Sequence, residues 1–329
     1  MDGKLCLWPA RGGDPGEVQA HAGSISAIKA DSEGRVVSCG YGGAVRIWDC
    51  RGSGDRRVSR SGRGAPRLCG ELSDVRLPAP CMDFAWGGGN VVTGHRDGRL
   101  GLYDLETGAM VLCVAGAHRG HVTNVNSLAS LRNCGGDDCF VTGGQDGIIR
   151  IWDTRVGERG GHGLLESERS CTSQADDHHD GAGVGMRPVM ESSAHRGPQG
   201  VGAVGGIIGV GEGTGRVPRL ASFGADNRVC ILEARGGQGA GAKAAVKGRV
   251  TLDAGRAGAS TIAIEHVFDE HRNFIYCMDF VPSSKITSGE GCRGNGAGGG
   301  GLLVTGGGDG VLLVHDLGSS MRLLYGLGC

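Results

Sequence analysis

Aromatic side chains make up only 4% of the 329 residues, so the interior must be built from Val, Ile, Leu, Ala and Cys rather than from large rings. An excess of one charge is also missing. The formal net charge is −1 with 21% charged residues, which leaves no global field to draw in nucleic acid or an anionic membrane. No stretch approaches the roughly 18 uninterrupted apolar residues of a membrane-spanning helix, and Met1-Asp2-Gly3-Lys4-Leu5 has neither the apolar run nor the cleavage pattern of a secretory signal. A soluble protein of the cytoplasm or nucleus is therefore expected. The 13 cysteines are an odd number and do not fall at framework spacings. Cys39, Cys81, Cys230 and Cys277 sit inside apolar strand-like runs and read as reduced core residues. What the chain has in abundance is glycine, 67 residues, which argues for many turns and against a large, uniformly packed α/β enzyme core.

An internal repeat organises the sequence. Five segments follow one grammar: Ser or Thr, then usually Asp-Gly, then an alternating strand ending in a large residue and an acid. They are Ser38 to Trp48-Asp49, Thr93 with Asp97 to Tyr103-Asp104, Thr142 with Asp146 to Trp152-Asp153, Ser222 with Asp226 to Leu232-Glu233, and Thr305 with Asp309 to His315-Asp316. Asp2-Gly3 followed by Trp8 is the second half of the same unit. Upstream, His21, His118 and His271 are each followed at the fourth and seventh positions by apolar residues, and Ala194-His195-Arg196-Gly197 nearly copies Ala117-His118-Arg119-Gly120. Runs such as Val45-Arg46-Ile47-Trp48 alternate as half-buried strands do, and Asp-Gly between two such runs is a strong hairpin signal because the turn needs positive φ.

With the Trp-Asp dipeptides, these residues resemble the WD-repeat family, whose units fold as four-stranded blades of a β-propeller. The resemblance covers the chain apart from its insertions and implies an all-β fold. Five full blades plus a partial one are expected, in an incomplete ring, as a single domain over residues 1–329. Loop insertions are expected at about 51–66, 154–194, 233–260 and 282–300, where Gly, Ser and charge predominate and too little apolar surface exists to offset ordering entropy. The leading half unit lacks inner strands and the last strand, near Met321 to Tyr325, completes the final blade, which reads as a fragment of a larger ring. In the family His, Ser/Thr, Asp and Trp form a buried hydrogen-bonded tetrad. Here His118, Thr142, Asp146 and Trp152 supply all four. Gly42 replaces the Asp of the first repeat, the second lacks the His near Val75, and the fourth and fifth lack the Trp.

The family resemblance implies a non-catalytic scaffold for other proteins, with no cofactor. Trp48-Asp49-Cys50-Arg51 and Trp152-Asp153-Thr154-Arg155 resemble the motif by which some members dock on the adaptor of cullin-type ubiquitin ligases. Trp48, Asp49, Arg51, Trp152, Asp153 and Arg155 would carry that contact, making a substrate receptor the alternative reading. A remote third reading is an enzyme with a loop-borne site. Gly200-Val201-Gly202-Ala203-Val204-Gly205 matches GxGxxG, but no helix former follows to face a pyrophosphate, so a Gly-rich strand approach is preferred. Asp176-Asp177-His178-His179-Asp180 offers metal-type ligands on one loop without the convergence a site needs. Cys134 and Cys139 have no second pair nearby. The six arginines from Arg51 to Arg67 lack interleaved aromatics for base stacking. Among them, Arg56-Arg57-Val58-Ser59 resembles a basophilic kinase site, so Ser59 is a candidate for phosphorylation.

Overall fold

The computed structural model describes residues 2–8, 15–50, 66–72, 79–85, 89–126, 139–153, 186, 188–197, 200–210, 219–235, 261–283, 300–318 and 321–328. Every described element is a strand. A two-stranded sheet of β1 (Lys4–Leu7) and β2 (Gly16–Gln19) comes first. The first four-stranded sheet is β3 (Ile25–Ala30), β4 (Arg35–Gly40), β5 (Val45–Asp49) and β6 (Arg67–Glu71), hydrogen-bonded in chain order. The second is β7 (Cys81–Ala85), β8 (Asn90–Gly94), β9 (Leu100–Asp104) and β10 (Met110–Val114). The third is β11 (Val122–Asn126), β12 (Cys139–Gly144), β13 (Ile149–Asp153) and β14 (Pro188–Ser192). After a small ribbon, β15 (Arg196–Gly197) and β16 (Gly200–Val201), the fourth is β17 (Val204–Gly209), β18 (Arg219–Gly224), β19 (Val229–Arg235) and β20 (Thr261–Phe268). The fifth is β21 (Ile275–Pro282), β22 (Gly301–Gly307), β23 (Val311–Asp316) and β24 (Arg322–Gly328). The five repeats thus correspond to five antiparallel meanders, the geometry of propeller blades.

The turn chemistry works as the grammar requires. Gly98, Gly147 and Gly310, each after the Asp of its repeat, have φ of +85°, +70° and +70°, and Asn227 takes φ of +63° in the fourth repeat. Only these residue types adopt that region cheaply.

The chain divides into two compact units, one built from Met1–Val125 and the other from Asn126–Val156 with Met186–Cys329, the boundary falling inside β11. In the first unit the core lies between sheets. Val37, Cys39, Val45 and Ile47 of the first sheet pack with Met82, Val91 and Tyr103 of the second, and Leu5 and Ala20 close over Trp48. In the second unit, Val141, Ile149 and Ile151 meet Val204, Ile207, Leu220 and Leu232. The other face of the fourth sheet, with Ala221, Phe223 and Ile231, meets Ile275 and Leu303 of the fifth. Stacking explains why alternation is incomplete. The second strands are buried on both faces, as the unbroken burial of Cys139–Gly144 shows, so the half-buried pattern holds only for some third strands.

Two boundaries differ from the sequence reading. The insertion placed at 154–194 in fact ends with β14, the outer strand of the third sheet, whose opening Pro188 lies where a strand needs no N–H partner. The insertion placed at 233–260 begins later, because β19 runs on through Arg235. β2 was also hidden, a four-residue strand after a Gly- and Pro-rich stretch.

Candidate functional site

Each repeat builds a polar cluster inside its own sheet, from the hydroxyl residue on the second strand outward. In the first sheet the Trp48 indole N–H donates to Ser38 Oγ at 2.8 Å. Ser38 Oγ also lies 2.8 Å from His21 Nε2, so the hydroxyl joins the indole and the imidazole. Burial first, then the nearby Arg46 cation, holds the His21 pKa below its ordinary value. Without an Asp at position 42, Arg46 turns instead to the Ala20 carbonyl and to Glu71 at 2.9 Å.

The third sheet repeats the Trp-hydroxyl link, Trp152 Nε1 to Thr142 Oγ1 at 2.9 Å. Asp146, with 2% of its side chain exposed, holds Arg150 at 3.1 Å and accepts the Ile148 N–H at 3.2 Å. These three expected tetrad members lie in the second unit. His118 is buried in the first unit, with its backbone N–H on the Gly98 carbonyl.

The fourth and fifth sheets complete the cluster from the other end. His195 places Nε2 3.0 Å from Ser222 Oγ and Nδ1 2.9 Å from Asp226 Oδ1. His271 does the same with Thr305 at 2.9 Å and Asp309 at 3.1 Å. Desolvation pushes the Asp309 carboxyl up, but the Arg272 N–H, the His271 ring and the Val311 N–H together hold it below its usual range. This Ser/Thr-His-Asp order is that of a hydrolase triad. A nucleophile must reach its substrate, however, and Ser222, His195 and Thr305 are all 0% exposed, so the arrangement fastens strands.

One member of these clusters, His95, escaped the sequence reading, and another, His315, was read only as a departure from Trp. The second sheet does hold an imidazole: His95, two residues after the hydroxyl, sets Nε2 2.8 Å from Thr93 Oγ1. Tyr103 takes the Trp position, 1% exposed, and lies so close to Gly101 that a Cβ there would sit 2.6 Å from its ring. In the fifth sheet His315 occupies the Trp position, fully buried, with Nε2 3.5 Å from Thr305 Oγ1. The signal for both was a His at an offset where the repeat normally has another residue.

The remaining candidates sort as follows. In the docking motifs, the rings of Trp48 and Trp152 are 2% and 1% exposed and committed to their hydroxyl partners, while Asp49 and Asp153 are half-buried at strand ends. Arg51, Arg155, Ser59, the Arg-rich stretch up to residue 65, residues 176–180 and Cys134 lie outside the described residues. The GxGxxG segment runs through β16 and into β17. Its last glycine, Gly205, and the following Gly206 make room for the Phe223 ring, which a Cβ would approach to 2.4 and 2.5 Å. Among the described residues no group of three or more His, Cys, Asp and Glu is placed to hold a metal ion, and no helix is long and apolar enough to cross a membrane.

The family described as "WD domain, G-beta repeat" matches residues 15–49, 112–153 and 263–316. Together with five four-stranded meanders and the hydroxyl-centred clusters inside them, these matches show that the chain carries WD repeats in these three regions. Among curated proteins it is similar to Autophagy-related protein 16 of Arabidopsis thaliana, 29% identical over 48% of this chain and 29% of the relative. It is similar also to a guanine nucleotide-binding protein subunit beta of Zea mays, 24% identical over 56% of this chain and 48% of the relative. Cell division cycle 20.1, cofactor of APC complex, of Arabidopsis thaliana is 26% identical over 60% of this chain and 42% of the relative. The chain therefore spans less than half the length of each of these relatives.

Proposed function

We propose that the chain is a non-catalytic scaffold on which other proteins assemble. What carries this reading is a division of labour among the described residues. The Ser, Thr and His groups of the repeats are closed into buried clusters, whereas several aromatic and Arg side chains, the types that dominate binding energy at interfaces, stand exposed at or beside turns. Arg96 lies 4.8 Å over the Tyr41 ring, with Tyr41 51% exposed. In the second unit, Phe274 and Tyr276 are 51% and 71% exposed, and Tyr276 occupies the extra residue between Ile275 and Cys277 where the register slips. Such bulges re-aim side chains. Two relatives bear names that place them in assemblies, as a subunit and as a cofactor of a complex. Affinity purification with mass spectrometry is expected to recover discrete partners that a Phe274→Ala/Tyr276→Ala variant loses while melting unchanged. A chain that retains nothing above background refutes the reading.

A narrower reading, a substrate receptor of a cullin-type ligase, draws on Asp49 and Asp153, each held at a strand end by a Trp anchored in the sheet. Arg51→Glu with Arg155→Glu would then remove ligase subunits from the recovered set. Residence in the cytoplasm or nucleus follows for either role and is checked by imaging a tagged chain. Phosphorylation of Ser59 would place close to two negative charges among the surrounding arginines.

A further inference from the structure

The cluster of the fifth sheet departs from that of the fourth at the Trp position. At the position of Leu232 in the fourth it carries His315, and the rest of the cluster is the same: His195, Ser222 and Asp226 correspond to His271, Thr305 and Asp309. The hydrogen bonds fix the protons. With both imidazoles neutral, His271 Nδ1–H faces the Asp309 carboxylate, its Nε2 accepts the Thr305 hydroxyl proton, and the hydrogen bond left between Thr305 and His315 has His315 Nε2–H as donor. His315 thereby replaces the Trp N–H of the first and third sheets. Its other nitrogen, Nδ1, is then unprotonated, fully buried and without a hydrogen-bond partner among the described residues. The Phe268 ring covers the imidazole, centroids 4.2 Å apart, and His266 lies 4.4 Å beyond on Phe268. A second proton on His315 would put an N–H and a positive charge where no acceptor waits.

We propose that the fifth sheet is an acid-sensitive latch, in which proton uptake by His315 undoes the Thr305 link and loosens β23 and β24 from the sheet while the fourth sheet stays closed. The ionisable groups acting on His315 are His271, across Thr305, and His266, across Phe268. Asp309 is taken up by His271 and the Arg272 N–H. Arg322 of β24 stands opposite Asp316, Asp279 of β21 caps its own strand at the Phe280 N–H, and β22 carries no ionisable residue. Burial first, then the fields of His271 and His266, lowers the His315 pKa from 6.5 to about 4. Between those values the unfolded sheet binds a proton that the folded sheet refuses. The stability contributed by neutral His315 is therefore complete above pH 6.5 and is lost as the pH falls toward 4, changing the local opening equilibrium on the order of a hundredfold.

Hydrogen exchange of the full chain, followed by mass spectrometry at pH 7.5, 6.0 and 5.0, tests this with the fourth sheet as reference in the same sample. The expected result is that peptides from β23 and β24 lose protection relative to β18 and β19 as the pH falls, and that His315→Leu, which copies Leu232, abolishes the difference. Equal loss in both sheets, or a step that persists in His315→Leu, overturns the proposal. Should that variant not fold at pH 7.5, His266→Gln decides. Removing a group whose field lowers the proton affinity of folded His315 narrows the gap from the unfolded state, so the loss of protection at pH 5.0 is expected to shrink, and an undiminished loss overturns the proposal.

Discussion

A single hydroxyl on the second strand is the hub of each repeat. Thr142 is strongly constrained, because the Trp152 N–H beside it is buried and needs an acceptor. Thr142→Val keeps the shape and removes the oxygen, so chemical denaturation should show a loss of about 1–3 kcal/mol, the cost of an orphaned buried donor. An unchanged midpoint would mean that the indole finds another partner. The hydroxyls themselves were legible in the sequence, since their spacing to the Asp and Trp positions repeats. Their partners were less so. His95 comes from within its own sheet rather than from the loop before it, and nothing in the spacing of one repeat announces that a neighbouring position has taken over the imidazole. His315 was visible as a departure from Trp, but that it still serves Thr305 depends on where the side chain points.

Among elements, the third strands and hairpin turns were the easiest to read, because Asp-Gly and the alternating run mark both ends. Outer strands were the hardest. β14 begins with Pro188 and has Val189 as its only β-branched residue, and β6 is Arg67-Leu68-Cys69-Gly70-Glu71 with none, so neither carries a strong strand signature. β24 is the exception in composition. All seven of its residues are exposed, among them Leu323, Leu324, Tyr325 and Leu327, and it forms the edge of its sheet without Lys or Pro to guard it. Light scattering of concentrated protein should detect association through this strand. Leu324→Lys should reduce it while leaving the melting temperature within about a degree or two, because an exposed residue contributes little to folding. Association unaffected by the lysine would move the adhesive surface elsewhere.

At the scale of the molecule, thiol chemistry reports on the packing between sheets. Among the nine described cysteines, Cys6 and Cys69 are exposed, as is Cys277, which the sequence places in a core strand, while Cys39, Cys81, Cys139 and Cys230 are buried. Desolvation raises the thiol pKa of Cys39 to about 11 and of Cys230 to about 12, and pushes Cys81 up as well. At pH 8 an alkylating reagent should label the exposed three within minutes and spare the buried four until denaturant is added. Early labelling of Cys39 or Cys230 would reveal sheets that separate readily. The hydroxyl-centred clusters behave differently from this shared packing. His21 with Ser38 and Trp48, His95 with Thr93, and His195 with Ser222 and Asp226 each close within one sheet and the segment leading into it. Losing a member in one therefore puts no demand on the next. A repeat can thus carry Gly42, His95, Leu232 or His315 where its neighbours carry another residue and still close its own sheet, so damage to one hub stays confined to the sheet that holds it.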